Sequence, residues 1–295
     1  HLGRGWPDVH AGDEGLVHPG ADDNASGVAV LLELAANLAS GEPPPRSLVF
    51  VAFSAEEAGR LGSKAYVERS APLPREGIRA MVNLDTVGRL HDGAITVIGS
   101  GSAREWPHIF RGCSYVTGVE SRNSPEPLDS SDQVSFGELG IPAVQLFTRA
   151  HTDYHRPGDT ADKVDAAGLV RVATFTKEAI VYLAQREEPL SAVASSPAEG
   201  APRGPRPGRK VSFGVVPEFS FSGPGVQLAD VVPGSPAQQA GLRAGDVLLA
   251  VDGKEIAGLR EFSELLKGLQ PGQAVEAAIQ RGEERLTVTV TVAER

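Results

Sequence analysis

The chain has few of the features that would place it in a membrane, on nucleic acid or in a disulfide-stabilised scaffold. Its single cysteine, Cys113, excludes an internal disulfide. No apolar run approaches the roughly 20 residues that cross a bilayer, so no membrane-spanning helix is predicted. Lysine and arginine number 28 against 38 aspartate and glutamate, without a basic cluster, which argues against nucleic acid as a partner.

The composition is otherwise typical of a globular protein and is interrupted by one unusual stretch. Its 295 residues, 41% hydrophobic and 22% charged, suffice for two modest domains or one large domain with an appendage. Residues 189–210 are rich in Pro, Gly, Ala and Ser and lack an apolar period, as in a semi-rigid linker. We therefore predict a first domain over 1–188 and a second over 211–295.

Strands and helices alternate in the pattern of the first domain. Short apolar runs suited to strands buried on both faces lie at 47–53, 80–85, 94–99 and 142–147. Helical periodicity covers 28–39 and 166–185. The apolar positions that share one face of the first helix are Val28, Leu31, Leu32, Ala35 and either Leu38 or Ala39. This order predicts a three-layer αβα sandwich.

The second domain reads as a small β-rich unit. Its predicted strands lie at 225–232, 246–253, 274–280 and 286–292, with one helix at 259–269. The change from an α/β pattern to closely spaced strands marks a separate fold rather than a continuation of the first domain.

Acidic and histidine residues follow the predicted strands or precede the first helix. They lie in the segments GADDNASG (20–27), SAEEAG (54–59), NLDTVG (83–88) and HTDYHRPGDT (151–160). Ligands of open α/β sheets bind at the carboxyl ends of strands, where such segments would meet. Taken singly, each has a simpler interpretation: a helix cap for 22–24, a solvated helix start for 56–57, a turn for Asp85 and a surface loop for His155.

Together and in this order, the four segments resemble the motifs of the co-catalytic di-zinc aminopeptidases, which include aminopeptidase S and aminopeptidase Y. The resemblance covers residues 1 to about 187. It implies the zinc exopeptidase fold, an αβα sandwich with a mixed sheet, here incomplete at the N-terminus. Glutamate carboxypeptidase and glutaminyl cyclase share these motifs.

The resemblance implies a site for two zinc ions. Asp23 would bridge the two ions, Asp85 would complete one of them, and Glu57 with His155 would complete the other. A shared carboxylate offsets the repulsion of two ions about 3.5–4 Å apart. The family often has a cis peptide after the bridging residue, here between Asp23 and Asn24.

The resemblance also implies the reaction. Glu56 would be the general base for a metal-activated water, and Tyr154 would help to hold the oxyanion. A pocket near Ser131, Asp132 and Phe136 would receive the side chain of the residue removed from a peptide. Asp159 would either form a turn or support a ligand, with the turn the favoured interpretation.

One further histidine ligand is expected before residue 20. The family places it in a His-x-Asp motif, and the opening residues His1-Leu2-Gly3 align best with the part that follows that motif. The ligand would then precede residue 1, and the zinc site formed by Asp23 and Asp85 would be incomplete within residues 1–295. In the alternative alignment His1 is itself the ligand, and Gly3 replaces the aspartate that would support it.

Residues 211–295 resemble a PDZ domain of the kind associated with bacterial proteases. The resemblance rests on SFGVV (212–216), on VVPGSPAQQAGLRAGDVLLAVDGKEI (231–256) and on the helix from Leu259. It implies that Phe213, Gly214, Val215 and Val216 receive the C-terminal carboxylate of a peptide added as a strand. The alternative is that this module packs on the catalytic domain and binds no peptide.

Three functions remain open on these grounds. The first is an aminopeptidase that acts on peptides, and the sequence does not distinguish this activity from that of a carboxypeptidase. The second is acyl transfer as in glutaminyl cyclases, which use one zinc ion. The third is a non-catalytic scaffold whose PDZ module holds peptides. The resemblance to PDZ-bearing relatives further implies export to the periplasm or the extracellular space.

Overall fold

The computed structural model describes residues 3, 12–69, 77–125, 131–193, 210–219, 221 and 223–294. The chain forms two compact units, one mainly from residues 17–149 and 157–199 and the other mainly from residues 200–295. In the described part of the chain, no helix has the length and apolar character needed to cross a membrane.

A four-stranded mixed sheet forms the centre of the first unit. Its strands are β1 (Met81–Leu84), β2 (Ile95–Ile98), β3 (Ser121–Ser124) and β4 (Ala143–Phe147), in the order β1-β4-β2-β3. The β1/β4 and β2/β3 pairs are parallel, whereas β2 and β4 are antiparallel. Every residue of β2 and β4 is buried, as expected for strands covered on both faces. The predicted mixed α/β fold is confirmed.

Among the described residues, the α-helices of this unit are α1 (Gly27–Ala39), α2 (Leu61–Arg69), α3 (Trp106–Thr117), α4 (Gln133–Gly137) and α5 (Ala166–Gln185). The core between α3 and α5 contains three stacked aromatic rings. Trp106 lies 5.5 Å from Phe110, and Phe110 lies 5.8 Å from Phe175, measured between ring centroids. All three side chains are fully buried, so this stack anchors both helices against the sheet.

The prediction of a strand over 47–53 is wrong. The structure assigns no strand to these residues, and Val49 is 46% exposed. A strand exists only through ladder hydrogen bonds with a neighbour, and the described strands include no partner for this run. Conversely, β3 was not predicted because its sequence, SRNS, is polar, which is usual for a strand at a sheet edge.

The predicted apolar face of α1 is also not the buried one. Val30 and Leu34 are each 2% exposed, whereas Val28 and Leu32 are 41% and 64% exposed. Apolar residues surround most of this helix, so periodicity alone does not select the side that meets the sheet.

The second unit contains the predicted strands and helix. Its strands are β5 (Val211–Ser212), β6 (Val215–Pro217), β7 (Val226–Val231), β8 (Val247–Val251), β9 (Lys254–Glu255), β10 (Ala274–Arg281), β11 (Glu284–Thr291) and β12 (Ala293–Glu294). The larger sheet has the order β11-β10-β8-β7-β6, with β9 paired to β8, and β12 pairs with β5. Its helices are α6 (Pro236–Gln239) and α7 (Leu259–Lys267), and α7 buries Phe262 and Leu266.

Candidate metal centre

Three side chains with metal-binding atoms converge in the structure. One ligand atom from each of Asp23, Glu57 and His155 lies within 4.8 Å of the other two. Asp23 and His155 are buried, and Glu57 is half-buried. Two carboxylates and an imidazole form a donor set suited to a zinc ion. The structure thus brings together three of the four metal ligands predicted from the sequence.

Asp23 lies in a short turn that precedes α1. The turn covers Ala21–Ser26, and its backbone leaves helical geometry at Asp23 and Asn24. The peptide bond between these two residues is cis, as the resemblance implies. The Asn24 side chain accepts the Gly27 N–H at 3.0 Å and donates to the Leu84 carbonyl at 2.8 Å. This side chain therefore attaches the turn to both the start of α1 and the end of β1.

Glu56 and Glu57 occupy a tight turn before α2. The Glu56 carbonyl accepts the N–H groups of Gly59 and Arg60 at 2.9 and 2.6 Å. Ala55 and Arg60 have positive φ values of 55° and 61°, which are uncommon for residues with a Cβ atom. The turn thus places the two adjacent carboxylates through backbone hydrogen bonds rather than by extending a strand.

Asp85, the fourth predicted ligand, follows β1 but lies outside the group of three. Its N–H donates to the Leu146 carbonyl at 3.3 Å, which continues the pairing of β1 with β4. The Thr86 hydroxyl donates to the Asp85 carboxylate at 3.2 Å. Burial raises the pKa of Asp85 to about 7, and the charges of Asp23 and Glu57 contribute to the rise. The Asp85 carboxylate therefore lies within electrostatic range of Asp23 and Glu57.

Glu56 shows most clearly that negative charge is concentrated in this site. The pKa of Glu56 is raised to about 9, mainly by burial. Four neighbouring carboxylates add to this rise, those of Glu57, Asp85, Asp132 and Asp23. A divalent cation among these oxygens would act in the opposite direction and favour their ionised forms. The chemistry of the donor set therefore fits a bound metal ion.

Tyr154 lies directly on a predicted metal ligand. Its ring stacks on the His155 imidazole, with centroids 3.8 Å apart and planes 27° apart, and it meets His151 edge-on at 6.3 Å. The tyrosine is 42% exposed, so solvent reaches its other side. His155 itself has a positive φ of 60°. The stack orients the imidazole, while the oxyanion role of Tyr154 stays a prediction.

Two further expectations meet different outcomes. Phe136, predicted to line a substrate pocket, is 4% exposed and lies 6.1 Å from each of the Phe53 and Tyr66 ring centroids, so it belongs to a small core. Asp159, favoured as a turn residue, is 2% exposed and accepts backbone hydrogen bonds from the turn that carries Asp23. No local sequence signal distinguishes a carboxylate that binds a distant backbone segment from one that forms a turn. His1 lies outside the described residues.

The predicted carboxylate-binding loop of the second unit is well packed. Phe213 is 1% exposed and meets Phe262 of α7 edge-on at 5.4 Å. Gly214 has a positive φ of 73°, and a Cβ there would collide with Ser235. The Gly214 N–H already donates to Ser212 Oγ at 2.9 Å. Val215 and Val216 begin β6, which is the terminal strand of its sheet among the described strands.

Comparison with known proteins places this geometry in a family. The profile of Peptidase family M28 matches residues 8–180, and that of a PDZ domain matches residues 203–292. The chain is 29% identical over 180 residues to Aminopeptidase YwaD of Bacillus subtilis, covering 58% of the chain and 39% of that relative. It is 40% identical over 141 residues to an aminopeptidase of Pseudomonas aeruginosa, covering 45% and 26%.

A solved structure shows the same fold. It is BSAP, a zinc aminopeptidase from Bacillus subtilis, which superposes with a TM-score of 0.52 at 29% identity and covers 58% of this chain and 43% of its own. The chain thus spans less than half the length of these three relatives. The matched profile covers more than half of the chain, in the part that carries Asp23, Glu57 and His155. The chain therefore belongs to Peptidase family M28 and carries a PDZ domain after its peptidase part.

Proposed function

We propose that this chain supplies the active site of a zinc aminopeptidase that removes N-terminal residues from peptides. The observation that carries the proposal is the convergence of Asp23, Glu57 and His155 ligand atoms within 4.8 Å. Membership of Peptidase family M28 and the likeness to a zinc aminopeptidase of known structure support it.

Asp23, Glu57 and His155 would hold one zinc ion, and Asp85 would hold a second ion that shares Asp23. The contribution of the Asp23 charge to the raised pKa of Asp85 supports this arrangement. Zinc, when bound, supplies Lewis-acid activation of water and of the peptide carbonyl. A carboxylate carries two oxygens, so Asp23 could contribute one oxygen to each ion.

The remaining acidic side chains would handle the proton and the substrate amine. Glu56 would accept the proton of the attacking water and deliver it to the leaving nitrogen. The negative charge around Glu56 and Asp132 would attract the protonated N-terminus of a peptide. Such an acidic cluster favours an aminopeptidase over a carboxypeptidase, whose substrate brings a free carboxylate.

The test uses the Glu56→Gln variant. Wild-type protein loaded with zinc should release free amino acids from a panel of aminoacyl substrates, and N-acetylated substrates should resist. Glu56→Gln should keep the zinc content measured by elemental analysis and lose turnover by a factor of roughly 10² or more. Full activity of this variant would remove Glu56 from its role. Release of ammonia from N-terminal glutamine without free amino acid would favour the cyclase reaction instead.

The PDZ domain would bind a peptide by strand addition at β6. That strand is terminal in its sheet, and the preceding loop contacts α7 through Phe213 and Phe262. Backbone hydrogen bonds to β6 would provide affinity, and a pocket for the terminal side chain would provide selectivity. A peptide carboxylate would compete with Ser212 for the Gly214 N–H.

A further inference from the structure

We propose that Asp22, Arg89 and Asp159 form a buried positioning network that fixes the backbone on which the metal ligand Asp23 stands. The inference rests on the proposed metal function, because it concerns how the ligand is held. None of these three residues is itself a proposed ligand. They come from three separate segments of the first unit.

The burial of these side chains requires an explanation. Asp22 is fully buried, Asp159 is 2% exposed and Arg89 is 9% exposed. Charged side chains are almost never buried to this extent unless they are paired, because their hydration is lost. Arg89 Nη2 lies 3.4 Å from Asp159 Oδ1, and Arg89 Nε lies 3.7 Å from Asp22 Oδ2. One guanidinium therefore stands between two carboxylates.

Asp159 binds the backbone at the candidate metal ligand directly. Its carboxylate accepts the Asp22 N–H at 3.0 and 3.1 Å and the Asp23 N–H at 3.0 Å. Its own carbonyl accepts the Ala21 N–H at 3.1 Å. Three consecutive N–H groups of the turn thus end on one residue, which lies 136 positions after Asp23 in the chain. Two of these N–H groups end on the carboxylate, an acceptor type that forms strong hydrogen bonds with backbone N–H groups, so they hold the turn firmly.

Asp22 connects the same turn to the loop that follows Asp85. Its carboxylate accepts the Gly88 N–H, and a Cβ at Gly88 would lie only 2.8 Å from Asp22 Oδ1, so glycine permits this close approach. The Arg89 N–H in turn donates to Thr148 Oγ1 at 3.1 Å, beyond the end of β4. The network therefore links the segments that follow β1 and β4 to the turn that carries Asp23.

The alternative is that this network stabilises the fold without orienting the metal ligand. The orienting role and the purely structural role predict different results. The groups behind metal ligands orient them, and their removal typically weakens metal affinity by about 10- to 100-fold. A purely structural contact lowers the unfolding midpoint and leaves the affinity of the folded protein unchanged. Metal affinity measured on folded protein therefore separates the two.

The experiment compares Asp159→Asn with Asp165→Asn as a matched control. Asp165 also binds two backbone N–H groups, those of Gly168 and His91, but caps α5 instead of contacting the turn at Asp23. Zinc affinity is measured by competition with a chromogenic chelator, and ligand geometry by the visible spectrum of the Co²⁺-loaded protein. We expect Asp159→Asn to weaken zinc binding by about 10- to 100-fold and to change the cobalt spectrum. Asp165→Asn should change neither.

Equal zinc affinity and an unchanged cobalt spectrum in Asp159→Asn would overturn the inference. If Asp159→Asn does not fold, Arg89→Lys and Arg89→Met replace it. Lysine keeps the charge but not the forked geometry, so it should retain more affinity than methionine, and equal wild-type affinity in both would refute the network. If wild-type protein binds zinc and hydrolyses substrate, and Asp159→Asn has the same zinc affinity and cobalt spectrum, only this inference is refuted. Wild-type protein that binds no zinc refutes the proposed function.

Discussion

Replacing Asp165 with alanine should destabilise the first unit through the start of α5. Asp165 is the N-cap of this helix, and its Oδ1 accepts the Gly168 N–H at 2.9 Å. Its Oδ2 accepts the His91 N–H at 2.8 Å. Loss of the cap costs about 1 kcal/mol, and loss of the second hydrogen bond costs about 1 kcal/mol more. The contacts of Asp165 with His91 and Arg171 are long, and both partner side chains are exposed, so these pairs add little.

The expected loss of about 2 kcal/mol depends on pH in a defined direction. The backbone hydrogen bond from Gly168 is the main cause that lowers the pKa of Asp165, and the His91 N–H adds to it against the effect of burial. A lowered folded-state pKa means that the stabilisation is present above the unfolded value of about 3.9. It is lost as the pH falls through the folded value. The difference between wild type and Asp165→Ala should therefore shrink in acid.

Tryptophan fluorescence isolates the unit concerned. The chain has two tryptophans, and Trp106 is buried in the core against α5, so a Trp6→Phe background leaves one probe of the first unit. With a urea m-value of about 2 kcal/mol/M, the midpoint should fall by about 1 M in Asp165→Ala. The exposed Asp92→Ala is the control. A midpoint for Asp165→Ala equal to that of Asp92→Ala would refute the reasoning.

Two further predictions concern the PDZ domain. Asp246 is 1% exposed and accepts two hydrogen bonds from Arg281 at 2.8 Å and one from the Arg243 N–H. Burial acts to raise the pKa of Asp246, but these hydrogen bonds outweigh burial, so its pKa is lowered. Asp246→Asn should therefore lower the free energy of unfolding by about 2 kcal/mol at neutral pH and by less in acid. The loss should appear as faster hydrogen exchange of the β8 and β10 amides. Exchange equal to that of the control Glu255→Gln, at an exposed position, would contradict this prediction. For peptide binding, fluorescence anisotropy should show that amidation of a bound peptide's C-terminus weakens affinity by roughly tenfold. Equal affinity of the free and amidated peptides would exclude carboxylate recognition.

Local sequence patterns determined much of this protein. The apolar runs that became β1, β2 and β4 need only a buried environment, and the long periodicity of α5 needs only one apolar side, so both are encoded by neighbouring residues. The four acidic and histidine segments were recognisable as motifs, because their order along the chain carries the information. The PDZ strands and α7 were likewise predictable from closely spaced strand patterns and turn glycines.

Tertiary structure alone decided the rest, because it depends on contacts between residues far apart in the chain. Residues 47–53 are apolar, but whether they form a strand depends on a pairing partner. The face of α1 that packs is set by the sheet it meets, so Val30 and Leu34 are buried and Leu32 is not. Asp159 looks like a turn residue in sequence, and only the fold brings its carboxylate to the N–H groups of Asp22 and Asp23. The position of the turn that carries Asp23 is thus a property of long-range hydrogen bonds, which no local pattern contains.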